Sequence, residues 1–130
     1  MPGLAPYDTL GDDDALDRLR AICFAFPEVE ETGGVGSPSF KVRAKIFAMR
    51  HPHEGRPSVW FKAEPGAQHA LTTSEPDVYF APPYVGQHGW VGVWLDAGAD
   101  WDFLAHLIER SYRLTAPKRL LAQLTADPRE

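Results

Sequence analysis

Between Glu28 and Leu95 the chain carries six short stretches with strand-like alternation, and most of the helical spacing lies outside them. That order is the strongest constraint on the fold. The stretches are Glu28–Thr32, Ser39–Val42, Lys45–Arg50, Ser58–Lys62, Val78–Phe80 and Trp90–Leu95. In the second, Phe40 and Val42 share a face; in the third, Ile46 and Ala48; in the fourth, Val59 and Phe61, with Trp60 opposite. Upstream, Leu16, Leu19, Ile22, Cys23 and Phe26 follow a three/four spacing, which predicts a helix from Asp13 to Phe26, stopped by Pro27. Downstream, Asp100 is an N-cap for a helix through Leu114, with Phe103, Leu104, Leu107, Ile108 and Tyr112 as its apolar stripe. Pro117 opens a last helix through Leu124, and Pro65 opens a short one through Thr73. Runs of strands flanked by helices predict an α+β sandwich. Its antiparallel sheet has five to six strands, covered on one face by the N- and C-terminal helices.

A chain of 130 residues makes one domain, and its 44% hydrophobic content supplies a core without disulfide support. Residues 1–11 read as a loose tail and residues 12–125 as the domain. The one cysteine, Cys23, falls on the apolar face of the first helix, where it reads as a core thiol rather than a nucleophile. With no cysteine pair, no basic-then-apolar leader and no apolar run near 20 residues, the expectation is a cytoplasmic protein with no membrane association.

The catalytic and cofactor motifs are missing. There is no phosphate-binding Gly-x-x-x-x-Gly-Lys-Ser/Thr loop, no Gly-x-Ser-x-Gly elbow, and no extension of Gly34 and Gly36 into a dinucleotide fingerprint. His51, His53 and Glu54 lie close together, but between proline and glycine, where a solvated polar loop is the simpler reading than a metal site. Asp12, Asp13, Asp14 and Asp17 with Glu28, Glu30 and Glu31 make an acidic N-terminal region, read as capping and a solvated edge, with weak cation binding as the alternative. No enzyme activity, cofactor or metal is expected.

Charge is the informative remainder. The net charge is −5, yet residues 36–62 hold six basic residues and one acidic, and residues 110–130 hold five and two. Residues 63–109 hold seven acidic residues and no lysine or arginine. Lys41, Arg43, Lys45 and Lys62 lie on or between adjacent strands, and Arg113, Lys118 and Arg119 end one helix and begin the next. If the two basic blocks meet, they form a face for nucleic-acid phosphates. The second candidate surface is the loop from Tyr84 to Trp90. There Gly86-Gln87-His88-Gly89 lets the backbone approach a ligand, and Tyr84, Gln87, His88 and Trp90 offer stacking and hydrogen bonds. Trp90 and Trp94 flank Gly92 on one strand face, either as core packing or as an exposed stacking platform.

Phe26-Pro27-Glu28-Val29-Glu30, Gly36-x-Pro38-x-Phe40-Lys41-Val42 and Lys45-Ile46-Phe47-Ala48 together resemble the MmcQ/YjbR-like proteins. So do Tyr84-Val85-Gly86 with Gly89-Trp90-Val91, and Ser111-Tyr112-Arg113-Leu114-x-Ala116-Pro117-Lys118-Arg119-Leu120. The resemblance runs from Leu16 to Leu121. It implies a frataxin/CyaY-like α+β sandwich and a DNA-binding, double-wing arrangement of strands and loops, with double-stranded DNA as the partner. It supplies no catalytic residues. A protein or small-molecule partner at the Tyr84–Trp90 loop is the alternative.

Overall fold

The computed structural model describes residues 12–33 and 37–125. The expected tail over residues 1–11, and most of the glycine-rich connector before Ser37, lie outside the described residues. The elements run α1 (Asp12–Cys23), β1 (Val29–Thr32), β2 (Ser39–Val42), β3 (Lys45–Arg50), β4 (Ser58–Phe61) and α2 (Ala67–Ser74). They continue with β5 (Tyr79–Phe80), β6 (Val91–Trp94), α3 (Trp101–Thr115) and α4 (Lys118–Thr125). The six strands form one antiparallel sheet in the order β1-β2-β3-β4-β6-β5. The predicted class therefore stands, as an α+β sandwich.

Register decides which residues meet. One row crosses the sheet through Arg50, Val59, Val93 and Tyr79, and another through Phe40, Ala48, Phe61 and Val91. These rows face the helices. Leu19 and Cys23 of α1, Leu104, Ile108 and Tyr112 of α3, and Leu120 of α4 complete the core, each fully or almost fully buried. A bulge between Phe40 and Lys41 breaks the two-residue alternation of β2 against β3, which lets both Phe47 and Ala48 be buried. Two polar contacts fix α3 on the sheet. The Ser111 hydroxyl donates to the Phe47 carbonyl (2.6 Å), and the Tyr112 hydroxyl donates to the Pro27 carbonyl (2.7 Å). Burial pushes the Cys23 thiol pKa up, which suits a packing role and not a reactive thiolate.

The opposite sheet face is covered too, by a segment expected to be a solvated loop. The Trp60–Gly92–Phe80 row lies on this face, with Trp94 beside it. His51 stacks on Trp60 at 4.2 Å between centroids, and His53 stacks against Phe80 (4.9 Å) and Trp94 (5.5 Å). Phe80 lies 4.2 Å from Trp94, over Gly92, where a β-carbon would overlap its ring. The segment is pinned by the His51 N–H donating to the Ser58 carbonyl and by the Ser58 hydroxyl donating to the His51 carbonyl. Trp60 and Trp94 are buried as a result, so these two rings pack inward and form no exposed platform.

Most element boundaries shift by one to three residues, and three of the shifts matter here. The first helix ends at Cys23, and Phe26 closes a turn onto the Cys23 carbonyl instead of extending the helix. The short helix starts at Ala67 because Gly66, in the left-handed region at φ 87°, interrupts it after Pro65. Trp90 precedes β6 rather than opening it.

Candidate nucleic-acid interface

Antiparallel pairing brings the ends of several strands together. Val29 opposes Val42, Val42 opposes Lys45, and Phe61 opposes Val91. So Glu28, the Arg43-Ala44 turn, Lys45, Lys62 and the loop leading into β6 all lie at one end of the sheet. The C-terminal end of α3 and the start of α4 reach the same end, because Tyr112 bonds Pro27 and Arg119 lies within electrostatic reach of Glu28. The two candidate surfaces, basic block and Tyr84–Trp90 loop, therefore share one end.

The cations there fall into two groups. Arg43 holds Glu28 through two hydrogen bonds, Nε to Oε1 at 2.7 Å and Nη2 to Oε2 at 3.2 Å. This pairing draws the Glu28 carboxyl below its ordinary pKa and raises Arg43. Lys41 reaches Glu30 at 4.0 Å across the β1–β2 pair, on the face away from the helices. Arg113 pairs with Glu109 one helical turn away, and Arg110 pairs with Glu64 at 2.6 Å. Among the described residues, Lys45, Lys62, Lys118 and Arg119 have no carboxylate within ion-pair distance, and Lys45, Lys118 and Arg119 are exposed. Of the seven basic residues picked out in the sequence, those four are free for phosphate. The acidic residues of β1 are paired too: Glu30 with Lys41, and Glu31 with Arg20, whose Nε and Nη2 donate to the two carboxylate oxygens at 2.8 Å each.

The turn between β2 and β3 has positive φ at both central residues, Arg43 (50°) and Ala44 (69°), the geometry of a type I′ hairpin. Asn-Gly would adopt it without strain; Arg-Ala does not. Among the described residues five non-glycine residues have positive φ, and four of them (Glu28, Arg43, Ala44 and Tyr84) stand at this end. Strain of this kind gathers at functional surfaces.

Tyr84 is the sharpest case. With φ 65° and ψ −67° it is the centre of a γ-turn, closed by the Val85 N–H donating to the Pro83 carbonyl at 2.6 Å. Its side chain is 86% exposed. A 3-10 turn over Val85–His88 follows, with Gln87 and His88 exposed and Gly89 in the left-handed region at φ 87°. Gln68 of α2, which sequence reasoning missed, ties this loop down. Its amide Nε2 donates to the Gly86 carbonyl (2.8 Å) and to the Trp90 carbonyl (2.7 Å). The signal that could have found it was a lone glutamine on a short helix that carries no acidic residue, lysine or arginine. Trp90 is half-buried, and among the described residues its ring stacks on no other aromatic ring.

A sheet with helices on one face, a strained basic hairpin and a glycine loop at one end defines a class of small α+β sandwich proteins. The YjbR family model matches residues 24–114, and the chain belongs to the YjbR family. Among solved structures it is similar to the crystal structure of Deinococcus radiodurans protein DR2400, a DUF419 domain. The two chains are 24% identical with a TM-score of 0.68, and the match covers 76% of each. No curated protein matches. No helix among the described residues is long and apolar enough to cross a membrane.

Proposed function

We propose that the protein binds double-stranded DNA, without catalysis, through the basic end of its sheet. The observation that carries this reading is the convergence of unpaired Lys45, Lys62, Lys118 and Arg119 on the end that also bears the Tyr84 loop. The β2–β3 hairpin acts as a wing along the phosphate backbone, and its strained turn holds Arg43 at the tip. The ion pairs of Arg43 and Arg113 are exposed, and water screens exposed pairs, so phosphate can displace their carboxylates. Gln87 and His88 reach sugars or base edges beside the wing.

The test is fluorescence anisotropy on a mixed double-stranded DNA pool at two salt concentrations. Four phosphate contacts give a log–log salt slope of about −3.6. Binding that falls steeply with salt supports the reading; no binding at low salt overturns it. The exposed Tyr84 on its strained turn favours one second reading, a protein or small-molecule partner at the loop. Tyr84→Ala abolishes that interaction, whereas it leaves a phosphate-driven one nearly intact.

A further inference from the structure

The other end of the sheet holds a cavity of about 310 Å³, lined by Glu75, Val78, Tyr79, Gly98, Asp100 and Phe103. It sits where α2 ends, β5 begins and α3 starts. Tyr79 is 4% exposed, and its hydroxyl has no hydrogen-bond partner among the described residues. The hydroxyl oxygen itself is not sealed off: it opens into the cavity, where a visiting donor can take the place of water. Burial pushes its pKa up to about 12, and the charges of Glu75 and Asp100 push the same way. The phenol therefore stays protonated and keeps its oxygen as an acceptor.

The two carboxylates are short of partners. Asp100 uses Oδ1 to cap α3, accepting from the N–H groups of Asp102 (3.0 Å) and Phe103 (3.2 Å), which leaves Oδ2. The Glu75 carboxylate has neither a hydrogen bond nor an ion pair among the described residues. The nearby cations are committed elsewhere. Arg56 is held by Asp96 at 2.7 Å, and Arg18 lies over the Trp101 ring. Phe103, 39% exposed, offers an aromatic wall for a short alkyl stem.

We infer that this cavity binds a small organic cation, an alkylammonium group. Its nitrogen is shared by the Glu75 carboxylate, the free oxygen of Asp100 and the Tyr79 hydroxyl. An ammonium has three donors and no acceptor, which matches three convergent acceptors. The source is either a free amine or a lysine side chain on another chain.

Three probes separate the outcomes: putrescine, N-acetyl-lysine amide and the uncharged diol of putrescine's length. Each is titrated into the full chain while backbone amide shifts are followed by NMR. The expected result is saturable shifts at Glu75, Tyr79 and Phe103 with one or both amines and none with the diol. Preference for putrescine assigns a free amine, and preference for the lysine amide assigns a lysine-bearing partner. Tyr79→Phe and Glu75→Gln each weaken binding about tenfold. If Tyr79→Phe fails to fold, Asp100→Asn, whose amide oxygen still caps α3, carries the same comparison. Equal response to the diol, shifts mapping elsewhere, or unchanged affinity in the folded variants overturns the assignment.

Discussion

The two ends of the sheet are built from one antiparallel ladder, yet they carry opposite charge and opposite kinds of backbone. The end with the β2–β3 hairpin gathers Arg43, Lys45, Lys62, Lys118 and Arg119, and four of the five strained non-glycine residues among those described. The far end gathers Glu75, Asp77, Asp96, Asp100 and Asp102, with Glu54 as its strained residue. Antiparallel pairing is the reason. It folds sequence blocks of like charge back on themselves, so that a segregation along the chain becomes a segregation in space. A molecule polarised this way meets a polyanion with one end and repels it with the other, which orients the encounter as well as strengthening it. The weak net charge hides this, because the ends nearly cancel.

The largest effect expected breaks the basic end. Lys45→Glu, Lys62→Glu and Lys118→Glu together should weaken DNA binding at least about 100-fold, roughly 2.7 kcal/mol, with a shallower salt slope. Thermal unfolding should move little, since none of the three has an ion pair among the described residues. If the triple variant binds as the parent does, the polarity of the molecule has nothing to do with DNA.

Next in size is a change at the middle of the sheet, which keeps the two ends in fixed relation. Gly92→Ala places a methyl group into the Phe80 ring, and that ring is hemmed in by His53 and Trp94. The cost should be about 2 kcal/mol of stability, measured by denaturant unfolding. An unchanged midpoint would mean that the aromatic layer is loose and the ends are coupled only through the helix side.

The far end has its own test in Arg56. Its guanidinium makes two-pronged bonds to Asp96 and lies 3.9 Å from the Trp94 ring centroid. Arg56→Ala should cost about 1 kcal/mol at neutral pH. Pairing holds the Asp96 carboxyl below its ordinary range. A depressed carboxylate contributes stability above its unfolded pKa, about 3.9, and loses it as pH falls through the folded value. The penalty of Arg56→Ala should therefore shrink between neutral pH and strongly acidic pH. A penalty independent of pH would assign the effect to packing on Trp94 and not to the ion pair.

How far the sequence foretold these ends depends on what kind of signal each residue carried. The helix faces and strand alternation were legible because burial on one side imposes a period, as with Leu104, Ile108 and Tyr112. The meeting of Lys45 with Lys62 followed from strand order, which local pattern does not encode but short connections favour. Ion pairing was only partly legible. Glu109 and Arg113 stand four apart on a predicted helix, a spacing that pairs them, whereas Arg43 looks as available as Lys45 and only the β1–β2 register sets Glu28 beside it. The His51–Pro57 segment was read as solvated because its residues are polar, yet imidazole rings stack, and two of them cover a tryptophan face. The Tyr79 cavity left no trace in the sequence, since it depends on how the end of α2, β5 and the start of α3 meet.

The smallest predicted effect distinguishes strain from charge at the basic end. Ala44 is exposed and sits at φ 69°, a conformation that costs an L-residue roughly 1 kcal/mol and glycine almost nothing. Ala44→Gly also makes the unfolded chain more flexible, which offsets part of the gain. The net expectation is a stabilisation of about 0.5 kcal/mol, read from the denaturant midpoint. DNA affinity should be unchanged, because the turn keeps its type I′ shape and Arg43 keeps its place. Weaker DNA binding with higher stability would show that the alanine stiffens the wing for its ligand, and that strain, not charge alone, separates this end from the other.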